Sequence, residues 1–221
     1  MDKAKLDKYL KKIYSTVYAE PETPEFHVPL IKQSVAHFFH KMGLKKDAKI
    51  LDIGCGQGTF IREMDDRGYK EVVGLTMSKE DVDACISKGY QAVYGDMSDL
   101  SYMDESWDMI WCRHALEHSP FPLLTLLEFN RVLKKDGFLY VEVPAPDTER
   151  DHEFNSNHFS VMGEKMWASL FGRAGFEGAE QGIWEFKLTE NGKEKQERFL
   201  CFLMWKKNAI DYSQNRTKAH H

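Results

Sequence analysis

A chain of 221 residues, 42% of them apolar and 13% aromatic, is long enough for one well-cored globular domain and does not have the composition of a disordered or fibrous protein. Acidic residues exceed basic ones by 35 to 30, so the net charge of −5 gives no general support for a nucleic-acid partner. No apolar run approaches the roughly 20 residues that cross a bilayer, and the N-terminus lacks the apolar core of a secretion signal. We therefore expect no membrane partner.

The four cysteines also bear on location. Cys55, Cys85, Cys112 and Cys201 are widely spaced and form no Cys-x-x-Cys pair. Such spacing favours reduced thiols over a disulfide framework, so we predict a cytoplasmic protein. The terminal pair His220-His221 is excluded from any predicted site.

The first 45 residues predict two helices that form an N-terminal helical cap. Apolar residues recur at helical spacing from Leu6 to Val17 and again from Val28 to Met42. Pro21 separates the two stretches, because proline breaks a helix.

From Ala48 onward, predicted strands alternate with predicted helices. The strands are Lys49–Ile53, Glu71–Leu75, Gln91–Tyr94, Trp107–Cys112 and Phe138–Val143. The helices between them are Thr59–Arg67, Lys79–Ser87 and Leu123–Leu133. This alternation is typical of an α/β protein with a Rossmann-like, doubly wound, mostly parallel sheet and helices on both of its faces.

The end of the chain predicts a different strand arrangement. After a polar loop and a helix near Lys165–Ala174, the runs Ile183–Leu188 and Arg198–Trp205 flank Asn191-Gly192, a strong hairpin signal. We therefore expect a seven-stranded sheet that ends in an antiparallel hairpin. The predicted domain spans residues 46–208, and residues 209–221 form a tail.

Three glycines at alternate positions follow the first predicted strand, in the segment LDIGCGQG at residues 51–58. In a doubly wound sheet, ligands bind beyond the carboxyl ends of the strands, where glycine lets the backbone approach them closely. The dinucleotide fingerprint G-x-G-x-x-G does not match, because Thr59 stands at its third glycine and Thr76 at its acidic position. No Gly-Lys-Ser/Thr follows, which excludes a P-loop.

The segment KILDIGCGQGTF resembles the first motif of class I S-adenosylmethionine-dependent methyltransferases, a D/E-x-G-x-G-x-G loop. Further segments resemble later motifs of that family in the right order: Glu71–Ser78, Gly95–Met97, Trp107–His118, Arg131–Leu139 and Ala174–Phe176. The resemblance extends from Ala48 to about Phe176. It implies S-adenosyl-L-methionine as the cofactor.

The resemblance also implies roles for single residues. Gly54 and Gly56 would pass under the methionine part of the cofactor, and Asp52 would organise their loop. Asp96 would accept a hydrogen bond from the adenine amino group, with Met97 on the ring. The complete implied cofactor set is Asp52, Gly54, Cys55, Gly56, Gly58, Leu75, Thr76, Met77, Asp96, Met97 and Arg113. Thr76 departs from the family, which usually has an acidic residue there to bind both ribose hydroxyls.

Histidines lie where the resemblance places the methyl acceptor. Methylation of a hydroxyl needs a base with a near-neutral pKa, which suits histidine. His114 is the first candidate, and His118 and His158 are the others. His114, Glu117 and His118 are spaced so that one helical turn could aim them at a metal ion, with help from His152 or His158. Histidine at the first of these positions argues against Mg²⁺, which prefers oxygen ligands, and toward a softer metal if one binds. We assign no metal, and the sequence leaves open whether these residues bind one.

The sequence therefore predicts a methyltransferase that acts on a small-molecule acceptor, at oxygen, with assistance from a histidine base. The N-terminal cap would cover the cofactor, and Phe26 and His27 could reach its methionine end, although packing is their simpler role. Two alternatives stay open: methylation of RNA or protein, and a non-catalytic protein that binds the cofactor. The sequence decides neither the acceptor nor the oligomeric state.

Overall fold

The computed structural model describes residues 2–15, 27–190 and 192–207. Across these residues, seven strands form one sheet in the order β3-β2-β1-β4-β5-β7-β6. The strands are β1 Ile50–Ile53, β2 Val72–Thr76, β3 Gln91–Tyr94, β4 Trp107–Arg113, β5 Leu133–Pro144, β6 Phe176–Glu190 and β7 Lys193–Lys206. Val17, Pro21 and Phe26 of the predicted cap, the hairpin residue Asn191 and the predicted tail 209–221 lie outside the described residues.

Helices flank this sheet on both faces. They are α1 Lys3–Tyr14, α2 His27–Phe38, α3 Thr59–Asp66, α4 Lys79–Ser87, α5 Pro122–Val132 and α6 Glu164–Arg173. Short 3₁₀ turns cover Phe39–Met42, Leu116–His118 and His152–Phe154. Each predicted helix after Ala48 lies within one or two residues of an observed one, because the helix ends are marked by local signals such as the Ser78 cap of α4.

The predicted doubly wound sheet with an antiparallel last hairpin is confirmed. Strands β1 to β5 pair in parallel, whereas β7 pairs antiparallel with both β5 and β6. The hairpin is longer than the sequence predicts, since β6 already begins at Phe176. The first half of β6 contains few apolar residues, so the sequence pattern there does not indicate a strand clearly.

Two apolar clusters lie on opposite faces of the sheet. One includes Leu126 and Phe129 of α5 and Trp167 of α6, and the other includes Phe38 of α2 and Phe60 of α3. Helix α2 is thus part of the core. By contrast, the predicted apolar face of α1 is largely exposed, with Leu6 at 37% and Tyr9 at 46%.

The strand order reverses at β1, which pairs with β2 on one side and β4 on the other. Crossovers leave in opposite directions from this point, so a crevice opens beyond the carboxyl ends of β1 and β4. No helix in the described part of the chain combines the length and apolar character that a membrane span requires. The four cysteines are buried free thiols.

Candidate active site

A cavity of about 310 Å³ opens at the carboxyl ends of β1, β2 and β4. Most of the predicted site residues line it: Asp52, Gly54, Cys55, Gly56, Leu75, Thr76, Met77, Asp96, Met97, Arg113, His114 and His118. Gly58 and His158 are not among the lining residues. The volume falls at the lower end of the range of small-molecule sites, roughly 300–1,000 Å³.

The glycine loop forms the floor of the cavity. Gly54, Gly56 and Gly58 all have positive φ angles, of 70°, 47° and 84°, which L side chains rarely adopt. A Cβ at Gly54 would lie 2.6 Å from the Cβ of Ala115, and one at Gly58 would lie 2.9 Å from the ring of Tyr90. Gly58 therefore allows close packing against the chain around α4 rather than contact with the cavity.

Two buried side-chain atoms at the cavity accept or donate no hydrogen bond within the described residues. The Oδ2 of Asp52 and the Nη2 of Arg113 have no hydrogen-bond partner among the described residues. Burial raises the pKa of Asp52 well above its usual value, and the nearby thiol of Cys85 adds to the shift. A carboxyl oxygen without a partner, whose ionised form a ligand ammonium would stabilise, and a guanidinium nitrogen without a partner suit a ligand that carries an ammonium and a carboxylate.

Asp96 holds the turn after β3. Its Oδ1 accepts a hydrogen bond from the backbone N–H of Ser98 at 2.8 Å. Its Oδ2 accepts one from the hydroxyl of Tyr14 at 2.7 Å, which brings helix α1 to the edge of the cavity. Burial raises the pKa of Tyr14, and the hydrogen bond to Asp96 raises it further, so Tyr14 donates this bond.

Thr76 lies at the end of β2, where the family that this sequence resembles usually has an acidic residue, and it supplies a hydroxyl instead of a carboxylate. Its hydroxyl oxygen accepts a hydrogen bond from the N–H of Ser78 at 3.1 Å. An acidic residue is nevertheless present, because Asp81, in the first turn of α4, lines the same cavity.

A buried charge network supports the wall formed by β4 and β5. The Nε of Arg113 lies 2.7 Å from Oε1 of Glu142, a carboxylate that is fully buried on β5. Ser34 and Tyr140 both donate hydrogen bonds to its Oε2, at 2.8 and 2.7 Å. Although burial opposes ionisation, Arg113 and His114 lower the pKa of Glu142 to about 2, so the group is a carboxylate at neutral pH.

His114 follows β4 with a φ of 49°, a left-handed conformation that is uncommon for a residue with a side chain. Its two ring nitrogens face two buried carboxylates, Nδ1 at 3.4 Å from Glu117 and Nε2 at 3.3 Å from Glu142. Burial lowers the pKa of His114, but the two carboxylates outweigh it and the net shift is upward. Strained backbone conformations of this kind concentrate at functional sites.

His27 is a second imidazole of this wall. Its Nδ1 lies 3.1 Å from Nη1 of Arg113, which can only donate, so the proton of the neutral ring is on Nε2. Burial and the charges of His114 and Arg113 lower the pKa of His27 to about 2. This neutral ring therefore presents a donor, which makes it unsuitable as a base.

The rings of His118 and His158 pack edge to face, with centroids 4.9 Å apart. The Nδ1 of His118 lies 3.0 Å from the carbonyl oxygen of Asn157, and the Nδ1 of His158 lies 3.0 Å from that of His152. His118 reaches the cavity, whereas His158 does not line it.

Comparison with known proteins decides the family. The sequence profile of the family described as Methyltransferase domain matches residues 29–181, more than half of the chain. This chain belongs to the class I S-adenosylmethionine-dependent methyltransferases. The family resemblance of the glycine loop and the later motifs is thereby confirmed, and S-adenosylmethionine is the family's cofactor.

Individual relatives agree with this assignment. The chain is 28% identical over 151 residues, 61% of its length, to 27-O-demethylrifamycin SV methyltransferase of Amycolatopsis mediterranei, and it spans 56% of that relative. It is also 28% identical over 169 residues to a demethylmenaquinone methyltransferase of Staphylococcus aureus, covering 72% of this chain and 68% of the relative. A SAM-dependent methyltransferase of Methanosarcina mazei shares the fold with a TM-score of 0.64 and 21% identity, covering 78% of this chain and 98% of that one.

The cavity of this methyltransferase fits the family's cofactor. The unpaired atoms of Asp52 and Arg113 suit the ammonium and carboxylate of an amino-acid moiety, and the glycine loop leaves the floor free of side chains at Gly54 and Gly56. Tyr14, Asp81 and Glu142 were not predicted as site residues, and His27 was named only as a residue that could reach the cofactor, with packing as its simpler role. Only Asp81 had a local signal, as an acidic residue in the first turn after the Ser78 cap.

Proposed function

We propose that this protein transfers a methyl group from S-adenosylmethionine to an oxygen of a small-molecule acceptor. The observation that carries the proposal is that the glycine loop and His114 line one cavity of about 310 Å³. The names of the relatives, a 27-O-demethylrifamycin SV methyltransferase and a demethylmenaquinone methyltransferase, favour a small acceptor.

Asp52 and Arg113 hold the amino-acid end of the cofactor in this proposal, and Asp96 and Met97 hold its adenine. Asp81 takes the place of the missing acid at Thr76 and accepts hydrogen bonds from the ribose. The remaining predicted residues, Gly54, Cys55, Gly56, Leu75 and Met77, form the surfaces against which the cofactor lies. Bound S-adenosylmethionine supplies an electrophilic methyl group on its sulfonium sulfur.

In this proposal His114, whose ring borders the cavity, accepts the proton of the acceptor hydroxyl. Both ring nitrogens face carboxylates in the structure, so the step requires one of them to turn from its carboxylate toward the acceptor. A general base works best when its pKa is near the operating pH, and the upward shift moves His114 in that direction. Glu117 and Glu142 lie close enough to both ring nitrogens to stabilise the imidazolium that forms. The low exposure of this wall excludes water that would compete for the proton.

The proposal is tested by methyl transfer to a panel of small phenols, hydroquinones and aliphatic alcohols, with amines and thiols of similar size as comparison. Formation of S-adenosylhomocysteine is followed with time. We expect turnover with at least one class of oxygen acceptor and none with short RNA or peptides. Turnover confined to amines or thiols would overturn the assignment to oxygen. Cofactor binding without any turnover would favour a non-catalytic protein.

A further inference from the structure

Glu117 is a buried carboxylate, and one of its two oxygens accepts no hydrogen bond from the described residues. Its side chain is 1% exposed, and its Oε2 has no hydrogen-bond partner in the described part of the chain. A buried carboxylate oxygen without a partner is costly, so such an atom calls for a partner that the protein atoms do not supply. His114 faces the other oxygen, Oε1, at 3.4 Å.

Two imidazoles stand next to this carboxylate. One ligand atom from each of Glu117, His118 and His158 can be chosen so that all three lie within 4.8 Å of one another. Tetrahedral zinc with bonds of about 2.0–2.1 Å needs ligand atoms roughly 3.3 Å apart, so small side-chain movements close the set. The three residues come from a 3₁₀ turn and from the loop after the 3₁₀ turn His152–Phe154.

The hydrogen bonds of both histidines orient them as metal ligands. In each ring Nδ1 lies 3.0 Å from a backbone carbonyl oxygen, which places the proton on Nδ1 and the lone pair of the neutral ring on Nε2. Metal-ligating histidines almost always donate their second nitrogen in this way. The side-chain amide of Asn155 lies 3.2 Å from Nε2 of His158, a long contact that an ion would replace.

The backbone already fixes the spacing between the two ligand segments. The carbonyl oxygen of Glu117 accepts hydrogen bonds from the N–H groups of Phe159 and Ser160, at 2.8 and 3.0 Å. His158 is therefore held opposite the 3₁₀ turn that carries Glu117 and His118. A site whose ligands are held in place before the ion arrives loses little entropy on binding.

We propose that Glu117, His118 and His158 form a site for a divalent transition-metal ion of the zinc type. Two imidazoles and one carboxylate are a donor set that suits zinc better than magnesium or calcium, which prefer oxygen. His114, which the sequence spacing placed in such a set, is outside it, because its backbone turn directs both ring nitrogens toward Glu117 and Glu142. Three protein ligands leave a position for water or another oxygen ligand, and His118 borders the cavity.

The test measures metal binding directly, without cofactor or acceptor. The full chain is used with His220→Ala and His221→Ala, because the terminal histidine pair could itself bind metal. The chain is stripped with a chelator and titrated with Zn²⁺ against a chromophoric competitor, and Co²⁺ absorption reports the coordination geometry. We expect one Zn²⁺ per chain and a tetrahedral Co²⁺ spectrum.

Substitutions locate the ion. His158→Ala and Glu117→Gln should each weaken Zn²⁺ binding by at least about 100-fold, because each removes or neutralises a ligand. His40→Ala is the control, since His40 is exposed and remote, and should bind Zn²⁺ as the parent does. Affinity for S-adenosylhomocysteine, unchanged within about threefold, shows that a variant is folded. If Glu117→Gln does not fold, His158→Gln provides the second variant.

The proposal is overturned if the parent takes up no Zn²⁺, or if folded His158→Ala and His158→Gln bind it as tightly as the parent. This outcome is distinct from failure of the proposed methyl transfer. A chain that binds S-adenosylhomocysteine but no Zn²⁺ would refute the metal site alone.

Discussion

The hydroxyl of Tyr14 on helix α1 donates a 2.7 Å hydrogen bond to the carboxylate of Asp96 in the turn after β3. Eighty-two positions separate the two residues in sequence. This bond joins the N-terminal helix to the turn that the family motif assigns to adenine. Tyr14 thereby brings the helix to the cavity, although Leu6 and Tyr9 on its apolar face are exposed.

The bond predicts a role for Tyr14 in cofactor affinity. Tyr14→Phe should weaken binding of S-adenosylhomocysteine by about tenfold, because a hydrogen bond to a charged group contributes about 1.5–3 kcal/mol and part of it is replaced by water. Isothermal titration measures the change. Tyr9→Phe, on an exposed ring of the same helix, should bind as the parent does. Equal affinity of the two variants would remove Tyr14 from the site.

Gly56 tests the glycine loop. Gly56→Val places a branched side chain at a φ of 47° on the cavity floor and should abolish cofactor binding. Gly68→Val is a matched control, because Gly68 also has a positive φ, of 84°, but nothing lies within 4 Å of its added Cβ. Both variants should lose stability to backbone strain, yet only the first should lose affinity in a titration with S-adenosylhomocysteine. Normal binding of S-adenosylhomocysteine by Gly56→Val would show that the cofactor does not lie against the glycine loop.

His114 tests the proposed base. His114→Asn keeps a side chain that tolerates the left-handed backbone but lacks a titratable nitrogen. Turnover on the true acceptor should fall by about 10²–10⁴, while affinity for S-adenosylhomocysteine changes little. Single-turnover rates and calorimetry separate the two effects. A rate within a few-fold of the parent would assign the proton to another group.

Asp81 tests the replacement of the acid missing at Thr76. Asp81→Asn should weaken S-adenosylhomocysteine binding by about tenfold, since charged acceptors hold hydroxyls more strongly than neutral ones. Glu80→Gln changes the neighbouring acid in the same turn, which does not line the cavity, and should have no effect. The comparison is made by calorimetric titration. Equal losses of affinity in the two variants would show that the negative charge in the first turn of α4 acts through the helix and not through a bond from Asp81 to the ribose.

The pair of Arg131 and Glu128 should make part of the free energy of unfolding sensitive to acid. Arg131 donates to both carboxylate oxygens of Glu128, at 2.9 and 2.8 Å, and to the carbonyl oxygens of Leu100 and Tyr102. The hydrogen bond from Arg131 lowers the pKa of Glu128. A lowered pKa stabilises the fold above the unfolded value of about 4.3, and this contribution is lost as the pH falls through the folded value.

Glu128→Gln should therefore lower the free energy of unfolding by about 1 kcal/mol at pH 7, and the difference from the parent should vanish toward pH 3. Thermal unfolding across this pH range measures it. Glu194→Gln, which breaks an exposed pair with Lys187, should change little at any pH. A difference for Glu128→Gln that is constant with pH would contradict the assignment.

The sequence predicted the sheet and most of the cavity because both depend on local signals. Apolar runs such as Ile50–Ile53 mark buried parallel strands, and the three glycines mark a loop that approaches a ligand. The carboxyl ends of neighbouring parallel strands meet at one edge of a sheet. The strand pattern alone therefore brings Asp52, Thr76 and Arg113 together, and all three line the cavity.

The residues that were missed depend on contacts between distant segments. Glu142 lies within an apolar strand, and its role follows only from Arg113, Ser34 and Tyr140 around it. Tyr14 lies at the site because helix α1 packs there, and no local sequence signal specifies where that helix packs. The spacing of His114, Glu117 and His118 suggested one helical turn that aims all three at one point. The backbone at His114 is left-handed instead, and the two ring nitrogens of His114 face the carboxylates of Glu117 and Glu142. No periodic pattern encodes such a turn.

Titration calorimetry of the unmodified chain with S-adenosylmethionine tests the central claim most directly, with NAD⁺ as the comparison ligand. The cavity with its glycine loop, Asp52 and Arg113 predicts saturable binding of one S-adenosylmethionine per chain at micromolar strength, and no saturable binding of NAD⁺. No saturable heat with S-adenosylmethionine, or equal binding of the two nucleotides, would contradict it.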